Sequence, residues 1–429
     1  MMQALPSVAS LLVGVAFLML GAGLLGLVLP IRLSAEGVDT WVTGLVMAAY
    51  FAGLVLGSLY GKRIIGRVGH IRAFAAFAAI VSSATLLTAI WFNPASWGVL
   101  RALTGFCMAA LFAVIESWLN EKSPNDARGQ VLSLYMITSY LASGSGQLLI
   151  NFWEIRGLEV FCFSAILISL SLVPVTLTRV AGPEIARAAP LSFAELYRIS
   201  PVGVLGSFSS GLIQGAFYGM GAVFAQMIGM SVFGSSIFMV SAIFGGLLLQ
   251  WPIGRLSDRF DRRTVLFWTL MLAALLAAGQ VALATVPHAI APLFALTALY
   301  GGAAASVYPI SVAHAYDYVD RARLVAASSG LLLAYALGAT LGPLVGAGLM
   351  EAFGPSALFA LIALVALALA LFVLHRQTRR KALPSAEQAT FVPLPTATPV
   401  AAELDPRADR PDAPATARAG AAAAKEQPA

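Results

Sequence analysis

The chain has 429 residues, of which 59% are hydrophobic and only 11% charged, with a mean hydropathy of +0.85. A soluble domain carries about 25% charged residues, so this composition leaves too little polar surface for a soluble fold and requires an integral membrane protein. The net charge of +6 does not argue for nucleic acid, because the positive side chains sit at the ends of apolar segments, where they set topology.

The first apolar run extends from Val8 to about Ile31. That is too long for the 7–15-residue core of a cleaved signal, and no basic segment precedes it, so it reads as the first membrane helix. A spanning helix needs about 20 mainly apolar residues. Twelve such segments follow one another, at 8–31, 41–61, 73–92, 97–119, 130–152, 157–178, 202–229, 233–254, 264–286, 289–313, 324–350 and 355–374. Barrel strands would be about 10 residues long with alternating polarity, so the expected class is an all-α integral membrane protein.

Lys and Arg gather in alternate loops: Lys62 to Arg72, Lys122 and Arg128, Arg179 to Arg198, Arg255 to Arg263, Arg321 and Arg323, and Arg376 to Lys381. The opposite loops carry Arg32 and Arg156. The positive-inside rule then places both termini in the cytoplasm of a cell (inner) membrane, as an even helix number requires. Trp41, Trp91, Trp97 and Trp153 fall near outer helix ends and Trp118 and Trp268 near inner ends, positions expected of interfacial anchors. Residues 1–178 form an N-terminal six-helix half, 179–200 a cytoplasmic linker and 201–381 a C-terminal half. The Ala/Pro-rich tail 382–429 is expected to be disordered and dispensable. Cys107 and Cys162 lie inside apolar segments and allow no disulfide framework or metal spacing.

The halves repeat one another. Gly105 and Gly301 are 196 positions apart, as are Gly146 and Gly342. The basic loop WPIGRLSDRFDRRTV from Trp251 has a weaker copy, GKRIIGRVGHIRAF from Gly61, about 192 positions earlier. A nearly constant offset marks a duplicated bundle, and duplicated bundles that rock about a central site are the logic of secondary transporters.

The second loop resembles the Gly-x-Leu-x-Asp-Arg-x-Gly-Arg-Arg signature of the major facilitator superfamily, with Gly254, Leu256, Asp258, Arg259, Arg262 and Arg263 in place and Asp261 where Gly is usual. In the first copy Arg67 and Gly69 fit, while Gly66 replaces the Asp and Lys62 the leading Gly. Arg101 and Gly105 fit the family's Arg-x-x-x-Gly pattern in helix four. Glu116-Ser117, Gly146-Gln147 and the run from Gln250 to Arg255 resemble the YcaD-type branch. The resemblance covers about residues 8–375 and implies twelve transmembrane helices in two pseudo-symmetric six-helix halves. Antiporters of this superfamily often carry Gly-Pro in helix five. Here Gly342-Pro343 sits in helix eleven instead, which weakens a drug-efflux reading.

The resemblance makes Gly254, Asp258, Arg259, Arg262, Arg263, Arg67 and Gly69 a conformational latch; as bare charges they would merely hold the loop on the cytoplasmic side. Arg101 suits an anion or proton-relay contact, or snorkelling to the outer surface. Glu116 is a candidate proton-coupling carboxylate, and its place near the helix end also suits an ion pair with Arg128 or the 62–72 loop. Asp317 and Asp320 fall where a solvated loop is expected. Polar and aromatic residues at mid-helix are candidate substrate contacts: Tyr50, Gln147, Asn151, Gln214, Tyr218, Gln226, Tyr300, Tyr308, His314 and Tyr335, with Gln147 and Gln214 favoured; packing is the ordinary alternative for each.

Enzyme motifs fail. Residues Gly57 to Arg63 are one residue short of a phosphate loop and lack its Ser/Thr. No His-Glu-x-x-His or Gly-x-Ser-x-Gly occurs. The expected protein is a non-enzymatic, monomeric secondary transporter without cofactor, moving a small, neutral or amphipathic solute by alternating access, with protons as the expected coupling ion. Two alternatives stand: a drug or metabolite efflux antiporter, and a non-transporting sensor on a transporter fold.

Overall fold

The structure, a computed structural model, describes residues 4–123, 127–177, 191–286, 290–320 and 323–379, with 388, 391, 392, 395, 396 and 398. Linker positions 179–190, Arg321, Arg380, Lys381 and the rest of the expected tail lie outside the described residues.

The helices are α1 (Ala4–Ala35), α2 (Thr40–Val68), α3 (His70–Ile90), α4 (Pro94–Lys122), α5 (Arg128–Leu148), α6 (Glu159–Leu170), α7 (Leu172–Leu177), α8 (Phe193–Ile199), α9 (Pro201–Met227), α10 (Val232–Arg259), α11 (Arg262–Leu283), α12 (Ile290–Tyr316), α13 (Leu324–Phe353) and α14 (Ala357–Arg379). In lipid every backbone N–H and C=O must be satisfied within its own segment, which permits helices and excludes open strands. Ten spans among the described residues are long and apolar enough to cross a bilayer, α6 and α7 counting as one. The two remaining long helices, α5 and α9, complete the expected twelve. They are less apolar because they carry Ser139, Ser143, Gln147 and Gln214 toward the interior.

Local sequence explains the boundaries. Gly69 sits at φ +85° between α2 and α3, and Gly354 at the same φ between α13 and α14, a conformation that side-chain-bearing residues rarely adopt. The sixth expected segment divides at Ser171 because Pro174 has no N–H for the carbonyl of Leu170. Asn93 caps α4 by accepting from the N–H groups of Ala95 (2.9 Å) and Ser96 (3.2 Å), with Pro94 in the first helical position.

The internal repeat has a physical meaning. α2 lies along α4 as α10 lies along α12, and α1 along α5 as α9 along α13. A methyl group on Gly105 would overlap the carbonyl oxygen of Tyr50, and one on Gly301 that of Ala242. Likewise a methyl on Gly146 would overlap the carbonyl oxygen of Leu20, and one on Gly342 the backbone of Ala216. Each glycine of the 196-residue repeat is thus where two backbones touch in the same pair of helices in its half. Helix association in lipid lacks a hydrophobic drive and relies on such close approach.

The two halves meet chiefly along α2–α13 and α5–α10. Hydrogen bonds join them on the basic-loop side, where the Tyr140 hydroxyl donates to Gln250 Oε1 (3.2 Å), and at the end away from the basic loops. There the Trp41 N–H donates to Glu351 Oε2 (2.7 Å), Asn151 Nδ2 donates to Ser236 Oγ (3.0 Å), and Gly44 leaves no room for a methyl beside Ala347. Two expected interfacial anchors are instead core residues. Trp97 is buried with its Nε1–H donating to the Trp91 carbonyl (3.0 Å), and Trp118 is buried against Phe74 and His70. Position near a helix end did not determine which face of α4 they occupy. Trp41, Trp91 and Trp268 are exposed, as anchors should be.

Gly105→Val and Gly301→Val should each cost about 1–3 kcal/mol by overpacking and lower the melting temperature in detergent. Gly66→Ala, where nothing lies within 4 Å, should leave it unchanged.

Candidate functional site

Between the halves lies a cavity of about 360 Å³, within the range of small-molecule sites. Its wall is built from both halves, α1, α2, α4 and α5 on one side and α9, α10 and α13 on the other. Of the expected contacts, Tyr50, Arg101, Gln147, Gln214 and Tyr218 line it. The Arg101 guanidinium lies 4.3 Å from the centre of the Tyr50 ring, a cation–π contact. Arg101 is 7% exposed, so it does not snorkel to a surface. Gln147 is buried, with no hydrogen-bond partner for its Oε1 among the described residues. Gln214 Nε2 donates to Ser210 Oγ (3.2 Å) and the Ala304 carbonyl (3.5 Å), which holds its amide across the floor.

Asn151 and Tyr300 lie elsewhere. Asn151 is exposed in the 3-10 turn Leu149–Phe152 that ends α5, where it joins the halves through Ser236. The fifth span stops being α-helical three residues before it, which moves it out of the cavity wall. Tyr300 is buried in an aromatic cluster with Phe217 (5.4 Å between rings) and Phe359 (5.9 Å), walled off from the main cavity. The candidate Tyr335 lines the cavity, as do Tyr135 and Tyr140, which were not among the candidates, whereas Gln226, Tyr308 and His314 are not among its lining residues. The spacing of Tyr135, Ser139 and Gln147 along α5, at helical period, was the available signal.

At the basic end, α10 and α11 carry the signature loop. Arg262 is fully buried; its Nε donates to Asp317 Oδ2 (2.7 Å), its Nη1 to Ser257 Oγ (3.3 Å), and it lies 3.6 Å from Asp258 Oδ1. Asp317 is therefore a buried ion-pair partner and not the solvated loop residue expected, because α12 ends beside the start of α11 and a buried guanidinium there requires a carboxylate. Asp261 caps α11, accepting from the Arg263 backbone N–H (3.0 Å) and side chain (2.8 Å). Burial opposes its charge, but the hydrogen bonds from Arg263 outweigh that and hold its carboxyl below the usual carboxylate range. Arg259 is exposed, as are Arg67 and Gly69 of the first copy. The clustered chemistry belongs to the second copy, and the first contributes the Gly69 turn.

A few described tail residues lie against the bundle. The Phe391 N–H donates to Asp258 Oδ1 (2.7 Å), and its ring covers Gly254, where a methyl group would overlap it. Pro395 and Thr396 line the basic end of the cavity, with Thr396 hydrogen-bonded to Tyr335. The Thr398 hydroxyl donates to Glu116 Oε2, and Glu116 Oε1 accepts from the Tyr135 hydroxyl (3.2 Å). An Ala/Pro bias conceals a short stretch with one aromatic ring and several hydroxyls, which suffice to meet carboxylates already present in the bundle.

The sequence matches the family model described as the Major Facilitator Superfamily over residues 11–275 and again over 204–416. The chain belongs to the major facilitator superfamily. It is 29% identical over 367 residues to the uncharacterized MFS-type transporter YcaD of Salmonella newport (strain SL254) and of Salmonella typhi, spanning 85% of this chain and 94% of each relative. Its fold is similar to the crystal structure of nucleoside transporter NupG, with a TM-score of 0.68 and 15% identity, covering 86% of this chain and 98% of that one. It is also similar to a bacterial homolog to the human lysosomal transporter Spinster in its inward-facing and occupied conformation, with a TM-score of 0.64 and 14% identity, covering 86% and 94%. These likenesses concern fold alone. This major facilitator chain is a multi-pass membrane transporter and not an enzyme.

Asp317→Ala should remove the nearer carboxylate of the buried Arg262, leaving Asp258 at 3.6 Å, and cost up to about 3 kcal/mol, read as a lower melting temperature. Arg259→Ala should stay within about 0.5 kcal/mol of the parent. Deleting residues 382–429 should uncover the basic end of the cavity. In a Cys162→Ala background, Ser139→Cys should then react faster with a membrane-impermeant maleimide, and an unchanged rate would show that the tail does not restrict access.

Proposed function

We propose that this transporter works by alternating access, taking a small solute into the cavity between its halves and releasing it on the other side of the membrane. One observation carries the reading: the cavity is walled by both halves, while direct hydrogen bonds between the halves close the end opposite the basic loops. Breaking Trp41–Glu351 and Asn151–Ser236 and closing the basic end instead would expose the same cavity to the other side. The basic loops assign the basic end, and both termini, to the cytoplasm of the cell membrane. The protein acts as a monomer, since each cavity is complete within one chain.

Tyr50, Gln147, Gln214, Tyr218 and Arg101 are the proposed solute contacts. The Arg262–Asp317–Asp258 cluster is the proposed latch, a buried network at the end that must open and close. Glu116 is the proposed proton site: it is fully buried, and its Tyr135 partner has its ring in the cavity wall, so a change of charge at Glu116 reaches the solute site through one hydrogen bond.

Pairing Asn151→Cys with Ser236→Cys and oxidising should lock the closed end. Counterflow in proteoliposomes should stop and return on reduction; counterflow that continues in the oxidised protein would refute alternating access about this cavity. In Glu116→Gln, exchange should persist while uptake driven by a pH gradient falls about tenfold or more, the range set by losing one coupled proton across 100 mV, about 2.3 kcal/mol. Gradient-driven uptake equal to the parent's would remove Glu116 from coupling.

A further inference from the structure

We propose that the cavity binds a monoanionic organic acid, a carboxylate carried on an apolar or aromatic body, through the Arg101 guanidinium. This deepens the transport reading above and rests on it.

Among the described residues that line the cavity, Arg101 is the sole charged side chain. It is 93% buried, being 7% exposed, and it makes no hydrogen bond or ion pair with any described residue; its Nε is buried without a partner. Among the described residues the Tyr50 ring is the one group that meets its charge. A ring face attracts the positive charge but accepts no N–H in the way an oxygen does, so the donors of the guanidinium stay unsatisfied. Buried charges in proteins are as a rule paired. Three other arginines do have carboxylate partners: Arg262 has Asp317, Arg263 has Asp261, and Arg32 has Glu36. Arg101 is left without a carboxylate in a cavity large enough for a small solute. A bound carboxylate supplies the missing partner, accepting two in-plane N–H bonds from the guanidinium fork while Tyr50 keeps its face.

The rest of the wall narrows the class. Gln147 offers a second buried polar group whose Oε1 lacks a partner, suited to a hydroxyl or amide on the same solute. Beyond these the lining is Met19, Phe51, Leu54, Phe112 and Met136 among others, an apolar surface for a hydrocarbon or aromatic body. A second negative group on the solute would find no cation, so dicarboxylates and phosphate dianions are disfavoured. A neutral amide of the same shape would leave Arg101 unmatched.

The test is calorimetric titration of the purified full-length protein in nanodiscs with benzoate, phenylacetate, indole-3-acetate and octanoate, each beside its primary amide, with succinate and inorganic phosphate as dianions. At least one monocarboxylate should bind saturably and roughly 10- to 100-fold tighter than its amide, the range for a hydrogen bond to a charged group. Arg101→Gln should abolish that acid preference, and Arg101→Lys should keep part of it. The proposal is overturned if no acid in the panel binds, if amides match their acids, if a dianion binds best, or if the preference survives Arg101→Gln. Should Arg101→Gln fail to fold, the acid-to-amide ratio of the parent protein decides alone. Counterflow separates this from the broader reading. An acid that binds with the expected preference but shows no counterflow leaves the anion site standing and defeats transport. Counterflow of a neutral solute without acid binding does the reverse.

Discussion

Two helices in lipid gain little by excluding hydrocarbon from each other, so they associate only where their backbones can approach closely. In this transporter that approach is made by glycine at the same four points of a repeated design, Gly105 and Gly301 in one class of helix pair and Gly146 and Gly342 in the other. Each half is thereby held as a rigid unit through its own α2–α4 or α1–α5 type of contact. The interface between the halves combines apolar packing, as of Met47 with the core of the second half, with a few hydrogen bonds and small residues.

That division places the polar groups. Helices α5 and α9 turn Ser139, Ser143, Gln147 and Gln214 to the space between the halves. A charge in that space is tolerable only with a partner, and Arg101 has just the face of Tyr50. The cavity is electrostatically incomplete, whereas the ion pairs at the two ends of the bundle are complete. This contrast between a satisfied periphery and an unsatisfied centre is what a site built for a transient occupant requires.

The basic end shows a second asymmetry. Both halves carry a form of the same loop, yet only the second has a buried Arg262–Asp317 pair with Asp258 beside it, and Asp258 also receives the Phe391 N–H. Tail residues meet Asp258, Tyr335 and Glu116, so the tail touches the proposed latch, the cavity wall and the proposed proton site at once. Opening that end must displace them.

Helix number, the two-fold repeat and the signature loop were legible in the sequence, because each depends on local rules: enough apolar residues to cross a bilayer, basic residues that stay on one side, and glycines at a fixed offset. Arg101, Gln147 and Gln214 could be named as cavity residues for a related reason, since polar side chains deep in an apolar segment must avoid lipid. What no local rule supplies is which face of a helix looks at which neighbour. Tyr300 and Tyr218 are both mid-helix tyrosines, and only packing puts one in an aromatic core and the other in the cavity wall. Asn151 left the cavity because α5 gives way to a 3-10 turn, and Trp97 and Trp118 left the interface because α4 turns them inward. The pairing of Arg262 with Asp317, 55 positions away, and of Thr398 with Glu116, 282 away, arose the same way. Composition and apolar run length determined a bundle of twelve membrane helices, and the repeated signature loop, through its family resemblance, pointed to a transporter; the tertiary structure decided which buried charges have partners, because pairing depends on distances in space that sequence separation does not encode.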